Sequence, residues 1–313
     1  MKVIKLTADH DKTKLKLEPI VLALGFFDGV HQGHRAVILK AKQKAQQLGL
    51  KLAVMTFDRY PKLTYQKLAP KDVTYLTKTP AKLAIFEQLG VDFAYVLEFN
   101  ERIAKLLPKD FVDNYINALQ AKCVVAGQDY TFGKPNIANM TTLKEYAQNK
   151  FEVLAVSDLN DQEGKISSTR IRNAIDQGQI TVANQLLGAP YQFSGEVVHG
   201  DARGRLIGFK TLNIAYEKDQ RLLAVGVYAV KVKIGDTWYY GVGNIGRNET
   251  FGANRKLTVE IYVFDFNQEI YGQIVTVQWH AFLRPTVKFK TVDDLINQLK
   301  QDEQNGRKYF GMC

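Results

Sequence analysis

The sequence is poor in cysteine and has no long apolar run. It has two cysteines in 313 residues, Cys123 in an apolar segment and Cys313 at the last position, with no CxxC pair. This scarcity excludes a disulfide framework, favours a reducing compartment and leaves Cys123 as a small buried hydrophobe. The apolar stretch near Val21 is interrupted well before membrane-spanning length, and MKVIKLTADH lacks the apolar core of a secretion signal. We therefore expect a cytoplasmic protein with no membrane partner.

The charge is strongly positive but is not concentrated in any basic run. Lysine and arginine number 42 against 32 acidic residues, for a formal net charge of +10. Such an excess favours polyanionic ligands, either nucleic acid or small phosphorylated molecules. Because the lysines are spread along the chain, we expect no nucleic-acid partner and favour small phosphorylated ligands.

The length suits two domains, and the first half alternates strands with helices. Each predicted strand is a short apolar run, and the segments between them have helical periodicity ending at glycines such as Gly49 and Gly90. This rhythm predicts a parallel sheet with right-handed crossovers, a Rossmann-like α/β domain. The predicted strands are residues 21–24, 52–57, 93–97, 123–126 and 153–156.

After residues 188–190 the pattern changes to alternating strands without helices between them. Short alternating strands separated by turns indicate an antiparallel barrel or a sandwich. One helix, residues 292–300, follows them. We therefore predict two domains, residues 1–188 and 189–313. The predicted strands of the second domain are residues 227–234, 238–242, 257–266 and 274–281.

A candidate phosphate site lies where the first predicted strand gives way to a helix, in LALGFFDGVHQGH, residues 22–34. Ligands of parallel α/β sheets lie beyond the carboxyl ends of the strands, and a helix N-terminus attracts anions. His31 and His34 add hydrogen-bond donors there. The segment is neither GxGxxG nor a Walker loop. A metal site is the alternative for two histidines, but no suitable third ligand lies nearby.

Four motifs resemble those of one family. HQGH is similar to the HxGH motif of nucleotidylyltransferases, and the longer segment around it resembles the opening of bacterial bifunctional riboflavin kinase/FMN adenylyltransferases, the FAD synthetase family. ISSTRIR, residues 166–172, resembles the ISSTxxR motif of that superfamily, and GQDYTFG, residues 127–133, resembles the flavin-side GxDFxFG segment. Residues 56–58 resemble its TFD strand end, although Tyr60 stands where a histidine is common. The motifs occur in family order along almost the whole chain.

The resemblance implies an α/β Rossmann-like nucleotidylyltransferase domain that transfers AMP from ATP to FMN, giving FAD and pyrophosphate. The FMN phosphate is already an anion, so the reaction needs positioning and charge stabilisation rather than a general base. Catalytic roles are implied for His31, His34 and Arg172, with Mg²⁺ bridging phosphate oxygens. The implied ATP-binding residues are Gly25, Phe27, Asp28, Gly33, Ser167, Ser168, Thr169 and Arg170, and the implied flavin-binding residues are Asp129, Phe132 and Gly133.

Plainer interpretations remain open for several of these residues. Asp28 and Asp129 stand beside glycines and could be turn formers. The segment SSTRIR could be a helix N-cap followed by a solvated basic turn.

The second domain resembles the riboflavin kinase module, a barrel that phosphorylates riboflavin with ATP to give FMN. Residues 195–213, GEVVHGDARGRLIGFKTLN, are similar to its GxxRGrxLGFPTAN pattern. The resemblance implies that Gly208, Thr211 and Asn213 bind ATP and that Thr211 and Asn213 hold Mg²⁺. Polar turn residues are the alternative for the last two.

Phosphorylation of a neutral alcohol benefits from a base, and Glu260 matches the catalytic glutamate of the family. Glu260 shares a predicted strand face with Tyr262 and Phe264, where a carboxylate is expected to have a raised pKa. A salt-bridged edge residue is the alternative. Arg284, in FLRP, is placed like a flavin- or nucleotide-contacting arginine, with a surface ion pair as the alternative.

Two prolines of the kinase pattern are missing. Lys210 and Glu249 replace them, and a freer loop should weaken binding by roughly 0.4–1 kcal/mol per site. We expect a working kinase with a raised KM. The alternatives are a monofunctional FMN adenylyltransferase with a degenerate kinase domain, a nucleotidylyltransferase acting on another phosphate, and a non-catalytic flavin-binding regulatory protein.

Overall fold

The computed structural model describes residues 1–9, 18–65, 68–69, 73–200, 208–247 and 257–312. Glu249 and Cys313, discussed above, lie outside these ranges. Internal contacts divide the chain into two units, Met1–Ser167 and Ser168–Cys313, which are described separately.

The first unit is built on a six-stranded sheet in which every neighbouring pair is parallel, in the order β1-β4-β3-β2-β5-β6. The predicted parallel sheet is thereby confirmed. The sequence pattern missed the edge strand β1, because its exposed residues interrupt the apolar run. The strands are β1 (Lys2–Leu6), β2 (Ile20–Leu24), β3 (Lys51–Phe57), β4 (Phe93–Leu97), β5 (Ala121–Gly127) and β6 (Glu152–Val156), and a short antiparallel pair follows them, β7 (Asn160–Asp161) and β8 (Gly164–Lys165).

Helices flank this sheet, and a hydrophobic core lies on each of its faces. Helix α1 buries an apolar stripe and ends at Gly49, whose φ of 64° is readily adopted only by glycine, as its sequence position predicts. Helix α3 begins with Lys78 as N-cap and Pro80 in its first turn, and the Thr79 hydroxyl donates to the carbonyl of Asp58. The helices are α1 (Gln32–Leu48), α2 (Lys62–Tyr65), α3 (Thr79–Gln88), α4 (Glu101–Ala104), α5 (Pro108–Val112) and α6 (Met140–Ala147), and a π-helical turn (Asp113–Asn117) follows α5.

The second unit contains a closed antiparallel barrel with the strand order β10-β13-β12-β11-β14-β9, which confirms the predicted barrel over a sandwich. Gly243 faces its interior, where an added Cβ would lie 2.9 Å from the Trp279 ring. The last helix is twice the predicted length. The strands are β9 (Tyr191–Val198), β10 (Thr211–Ala215), β11 (Gly226–Ile234), β12 (Thr237–Arg247), β13 (Leu257–Val263) and β14 (Ile274–Arg284), and the last helix is α9 (Val292–Tyr309).

Two helices, α7 (Ser168–Asp176) and α8 (Ile180–Leu187), precede the barrel and pack within the same unit. The amide of Asn184 donates to the carbonyl of Trp279 at 2.8 Å and its oxygen accepts the N–H of Tyr191 at 2.7 Å. Packing therefore groups these helices with the barrel. The domain boundary near residue 188 stays a prediction.

Candidate active sites

The paired histidines lie at the carboxyl edge of the parallel sheet, at the start of α1. His31 is the N-cap residue of α1, and its Nδ1 accepts the backbone N–H of His34 at 3.3 Å. The two rings are stacked, with centroids 3.6 Å apart and an interplanar angle of 20°. Because Nδ1 is the acceptor, the hydrogen of a neutral His31 ring is assigned to Nε2, which makes Nε2 the ring donor.

The turn that leads from β2 to these histidines has an unusual backbone. Phe27 and Val30 have φ angles of 56° and 40°, a left-handed conformation that L-residues rarely adopt. An added Cβ at Gly25 would lie 2.7 Å from the Phe27 ring, and one at Gly33 would lie 3.2 Å from the His31 ring. Both glycines are therefore needed for close packing in this turn, whereas their predicted contacts with ATP stay predictions.

Asp28 fixes a neighbouring loop. Its carboxylate is buried and accepts the backbone N–H groups of Leu76 and Thr77, at 3.3 and 3.0 Å. Asp28 therefore has a structural role in holding this loop, which is similar to the turn-forming role considered as an alternative for it. A role for Asp28 in ATP binding stays a prediction, as does that of Phe27, whose ring packs edge-on against those of His34 and Phe86.

A buried lysine, Lys82 of α3, was missed by the sequence analysis. It is 1% exposed, and its ammonium donates to the carbonyl of Phe26 at 2.8 Å and to the Thr56 hydroxyl at 3.1 Å. Burial lowers the pKa of Lys82 from 10.5 to about 8, although the nearby carboxylates of Asp28 and Asp58 act in the opposite direction. An ionisable group with such a shift at a ligand-binding edge is a candidate functional residue.

The TFD segment at the end of β3 contributes mainly structural contacts. Asp58 accepts the N–H of Phe99 at 2.8 Å and pairs with Arg59. Tyr60, which replaces the common histidine, packs its ring 5.2 Å from that of Phe26.

The ISSTRIR motif lies at the boundary between the two units. Ser167 is the last residue of the first unit, and Ser168 begins helix α7 of the second. One face of α7 is buried through Ile171, Ala174 and Ile175. Thr169 is exposed, whereas Arg170 and Arg172 are half-buried. The motif therefore forms a helix start, which is a suitable position for binding phosphate.

The flavin-side motif follows β5. Asp129 forms an ion pair with Lys165 at 2.5 Å, and Lys165 also pairs with Asp158 at 2.8 Å. The Phe132 ring packs 5.7 Å from that of Phe111, and an added Cβ at Gly133 would lie 3.1 Å from that of Ala138. These contacts shape the loop, and flavin binding by Asp129, Phe132 and Gly133 stays a prediction.

Three polar residues of the barrel lie side by side on adjacent strands. The register pairs Asn213 of β10 with Glu260 of β13, and Glu260 with Asn244 of β12. Directly paired residues of antiparallel strands point to the same face, so the three side chains form one row. Oδ1 of Asn244 is buried and has no hydrogen-bond partner among the described residues. The sequence analysis missed Asn244, because only strand register brings it next to Glu260.

Close packing holds Asn213 in this row. An added Cβ at Gly200 would lie 2.2 Å from Nδ2 of Asn213, so a larger residue there would displace the Asn213 side chain. Gly208, with a φ of 83°, precedes β10, and Thr211 lies two residues before Asn213 on the same face of that strand. The hydroxyl of Thr211 and the amide oxygen of Asn213 are hard donors of the kind that Mg²⁺ binds, with Glu260 beside them. The residues present therefore fit an ATP-bound Mg²⁺.

Two other barrel residues have partners that the sequence left open. Arg284 donates through Nε and a terminal nitrogen to Asp302 of α9, both at 2.6 Å; this is an ion pair, as in the alternative considered for Arg284, but the Asp302 carboxylate is buried and not at the surface. Lys210 lies 3.8 Å from Glu269 and 3.4 Å from the carbonyl oxygen of Asn267.

Cys123 is fully buried in β5, which raises the pKa of its thiol to about 12.

The described residues contain neither a membrane-spanning helix nor a cluster of metal-ligating side chains. No helix there is both long and apolar enough to cross a membrane. The same ranges hold no group of three or more His, Cys, Asp or Glu side chains that could bind a metal ion.

The fold and the sites define a two-unit protein with an α/β unit that carries two stacked histidines at the carboxyl edge of its sheet and a barrel that carries a carboxylate between two asparagines. Family models agree: residues 13–170 match FAD synthetase and residues 187–310 match riboflavin kinase. Bifunctional riboflavin kinase/FMN adenylyltransferases are similar to the chain over nearly its whole length. That of Listeria monocytogenes is 47% identical, covering 93% of this chain and 92% of the relative, and that of Bacillus subtilis is 42% identical, covering 99% and 98%.

A solved structure has the same fold. A crystal structure described as a macrolide-efflux protein from Streptococcus pneumoniae is 37% identical, with a TM-score of 0.90, and covers 98% of this chain and 99% of its own. The chain belongs to the bifunctional riboflavin kinase/FMN adenylyltransferase family, which confirms the resemblance drawn from the motifs.

Proposed function

We propose that this chain makes FAD from riboflavin in two ATP-dependent steps, as its family does. The barrel phosphorylates riboflavin to FMN, and the predicted adenylyltransferase domain, residues 1–188, transfers AMP from a second ATP to FMN, releasing pyrophosphate. The observation that carries the adenylyl transfer is the stacked pair His31 and His34 at the start of α1, at the ligand-binding edge of a parallel sheet.

In adenylyl transfer the FMN phosphate oxygen attacks the α-phosphorus of ATP, and the bond to pyrophosphate breaks. His31 and His34 donate hydrogen bonds to the oxygens on which negative charge develops, and the positive end of the α1 dipole adds to this stabilisation. Ser167, Ser168, Thr169 and Arg170 bind the β- and γ-phosphates. Arg172 adds a planar fork of donors to the leaving group.

In adenylyl transfer, the GQDYTFG loop binds the flavin. Phe132 offers an aromatic ring, and Gly133 and Asp129 shape the loop beside it. Gly25, Phe27, Asp28 and Gly33 bring the backbone of the first turn close to ATP. The family resemblance and the packed geometry of both loops support these roles.

In the kinase step the ribityl 5′-hydroxyl attacks the γ-phosphorus of ATP, and the bond from that phosphorus to the β,γ-bridging oxygen breaks, releasing ADP. Glu260 accepts the hydroxyl proton, and Asn213 and Thr211 bind the nucleotide with Gly208 in the loop before them. Bound with ATP, Mg²⁺ would neutralise phosphate charge, held by Thr211 and Asn213. Asn244 accepts a hydrogen bond from a riboflavin hydroxyl beside Glu260, a role supported by its buried, unpartnered Oδ1 within the described residues.

We also propose that the enzyme works in the cytoplasm without a nucleic-acid partner, since cysteine is scarce and the positive charge is dispersed.

One experiment tests both activities. The full chain is incubated with ATP and Mg²⁺ and either riboflavin or FMN, and the products are separated by chromatography. FMN and then FAD are expected from riboflavin, and FAD and pyrophosphate from FMN. If the chain forms FAD from FMN but forms no FMN from riboflavin, even at high enzyme concentration, it is a monofunctional adenylyltransferase. Binding of flavin without product in either reaction would leave a regulatory protein.

A further inference from the structure

Three successive residues of the turn before His31 are held by one segment of the chain, residues 76–86. Phe26 is bound through its carbonyl by Lys82, whose ammonium also lies 4.3 Å from the centre of the Phe26 ring. The Phe27 ring packs edge-on against Phe86, with centroids 5.7 Å apart. Asp28 accepts the N–H groups of residues 76 and 77, just before α3. The start of α3 is therefore a support for this turn.

The turn needs support because its backbone is unfavourable. Phe27 and Val30 both have positive φ angles, and Val30 is β-branched, the kind of residue for which this conformation costs most. Such conformations persist only where the surrounding structure fixes them, and they are concentrated at functional sites. The last residue of this turn is followed directly by His31.

The contact made by Lys82 is one that a purely structural residue would not need. Burying an ammonium is unfavourable, and an apolar side chain of similar volume would fill the same space at lower cost. Instead Lys82 and Thr56 both donate to the carbonyl of Phe26, at 2.8 Å each, while Thr56 also accepts from Lys82. Two donors on one carbonyl fix the position of the peptide group that begins the turn.

We propose that Lys82 is a positioning residue for adenylyl transfer: together with Thr56 it fixes the carbonyl of Phe26 and so sets the turn that delivers His31 and His34 to the phosphates. Lys82 is too deeply buried to contact substrate and acts through this turn. The proposal rests on the role proposed above for the two histidines.

The test compares two lysine-to-methionine variants of the full chain. Lys82→Met keeps an unbranched apolar side chain one heavy atom shorter than lysine and removes both hydrogen bonds. Lys42→Met is the matched control, because Lys42 also bonds a backbone carbonyl, that of Leu89 at the other end of α3, at 2.9 Å. Steady-state kcat and KM are measured for FAD formation from FMN, and riboflavin phosphorylation is measured in the same preparations.

Lys82→Met is expected to lower kcat for FAD formation by about 10²-fold, the loss that displacement of a catalytic group by about 1 Å can cause. KM for FMN should change little, because flavin binding is assigned to the GQDYTFG loop and not to this turn. Riboflavin phosphorylation and the Lys42→Met control should stay at the wild-type level. A normal kcat in Lys82→Met, or an equal loss in Lys42→Met, would overturn the proposal.

Thr56 supplies a second test should Lys82→Met fail to fold. Thr56→Val keeps the shape and removes the hydroxyl, so kcat for FAD formation should fall, whereas Thr56→Ser keeps the hydroxyl and should restore most of the rate. A wild-type kcat in Thr56→Val, or equal losses in both variants, would also overturn the proposal. His31→Ala is assayed in parallel. If this variant keeps full activity, the proposed role of His31 is wrong. If His31→Ala loses activity while Lys82→Met stays fully active, only the proposed role of Lys82 is wrong.

Discussion

The backbone N–H of His34 donates to Nδ1 of His31, and the two imidazole rings stack 3.6 Å apart at the first turn of α1. Two imidazolium cations at this separation would repel each other, so the arrangement favours at most one charged ring at a time. The stack orients both rings before substrate binds. Preorganised donors of this kind stabilise a transition state without having to move.

Replacing either histidine should impair only the first unit. His31→Ala or His34→Ala is expected to lower the rate of FAD formation from FMN by ~10²–10³-fold, the usual effect of removing one transition-state donor. Riboflavin phosphorylation in the same sample is the control, because it belongs to the barrel. Wild-type FAD formation in either variant would remove that histidine from the mechanism.

The motif sequence was sufficient to predict this pair, but not the residues that support it. HQGH is contiguous, and a strand followed by glycines and a helix indicates its position in the fold. Lys82 lies in a helical segment where a lysine is expected to face solvent. It is buried because α3 packs against the ends of β2 and β3, and its partners Phe26 and Thr56 are 56 and 26 residues away in the sequence. No local pattern contains that information.

The barrel shows the same limit. Alternating strands predicted it, and a motif pointed to Glu260, but register decides which residues flank that carboxylate. Asn244 and Asn213 are neighbours of Glu260 only because β12 and β10 pair with β13 in one particular alignment. The ion pair of Arg284 was weighed from the sequence, but its partner Asp302 could be identified only once α9 was packed on the barrel.

Glu260→Gln tests the proposed base of the kinase step. Glutamine keeps the shape but cannot accept the hydroxyl proton, so FMN formation from riboflavin should fall by about 10²–10⁴-fold. Asn244→Ala should lower the rate of FMN formation by less, roughly 2- to 12-fold, since one neutral hydrogen bond contributes about 0.5–1.5 kcal/mol. FAD formation from supplied FMN should be unchanged in both variants. A kinase rate in Glu260→Gln within a few-fold of wild type would show that another group takes the proton.

Arg284→Gln separates the two roles considered for this arginine. Loss of the charged hydrogen bonds to Asp302 should lower the free energy of unfolding by about 1.5–3 kcal/mol. Trp238 and Trp279, the only tryptophans of the chain, both lie in the barrel unit, so their fluorescence in urea reports this change. Asp302→Asn should cause a similar loss. A raised KM for riboflavin with unchanged stability would instead support direct flavin contact.

Lys210→Pro tests whether the missing proline weakens nucleotide binding. If loop entropy is the main cost, KM for ATP in the kinase reaction should fall a few-fold, corresponding to about 0.4–1 kcal/mol. Lys210→Ala is the control, because it removes the contacts of the lysine with Glu269 and Asn267 without restricting the backbone. An equal change in both variants would assign the effect to those contacts.

The pH dependence of stability should carry the signature of Lys82. Its pKa is about 8 in the folded protein and 10.5 ordinarily, so between these values the unfolded chain binds more protons than the folded one. The contribution of Lys82 to the free energy of unfolding therefore rises with pH between 8 and 10.5. Below pH 8 the folded protein bears the full cost of the buried charge. Asp28 and Asp58 face the ammonium and oppose the shift without cancelling it. Wild type should accordingly gain stability relative to Lys82→Met from pH 8 to pH 10.5, measured by circular dichroism in urea. Tryptophan fluorescence, which follows only the barrel, should show no such gain. If the difference in free energy of unfolding between wild type and Lys82→Met is instead constant with pH, the assignment of a charged, buried Lys82 is contradicted.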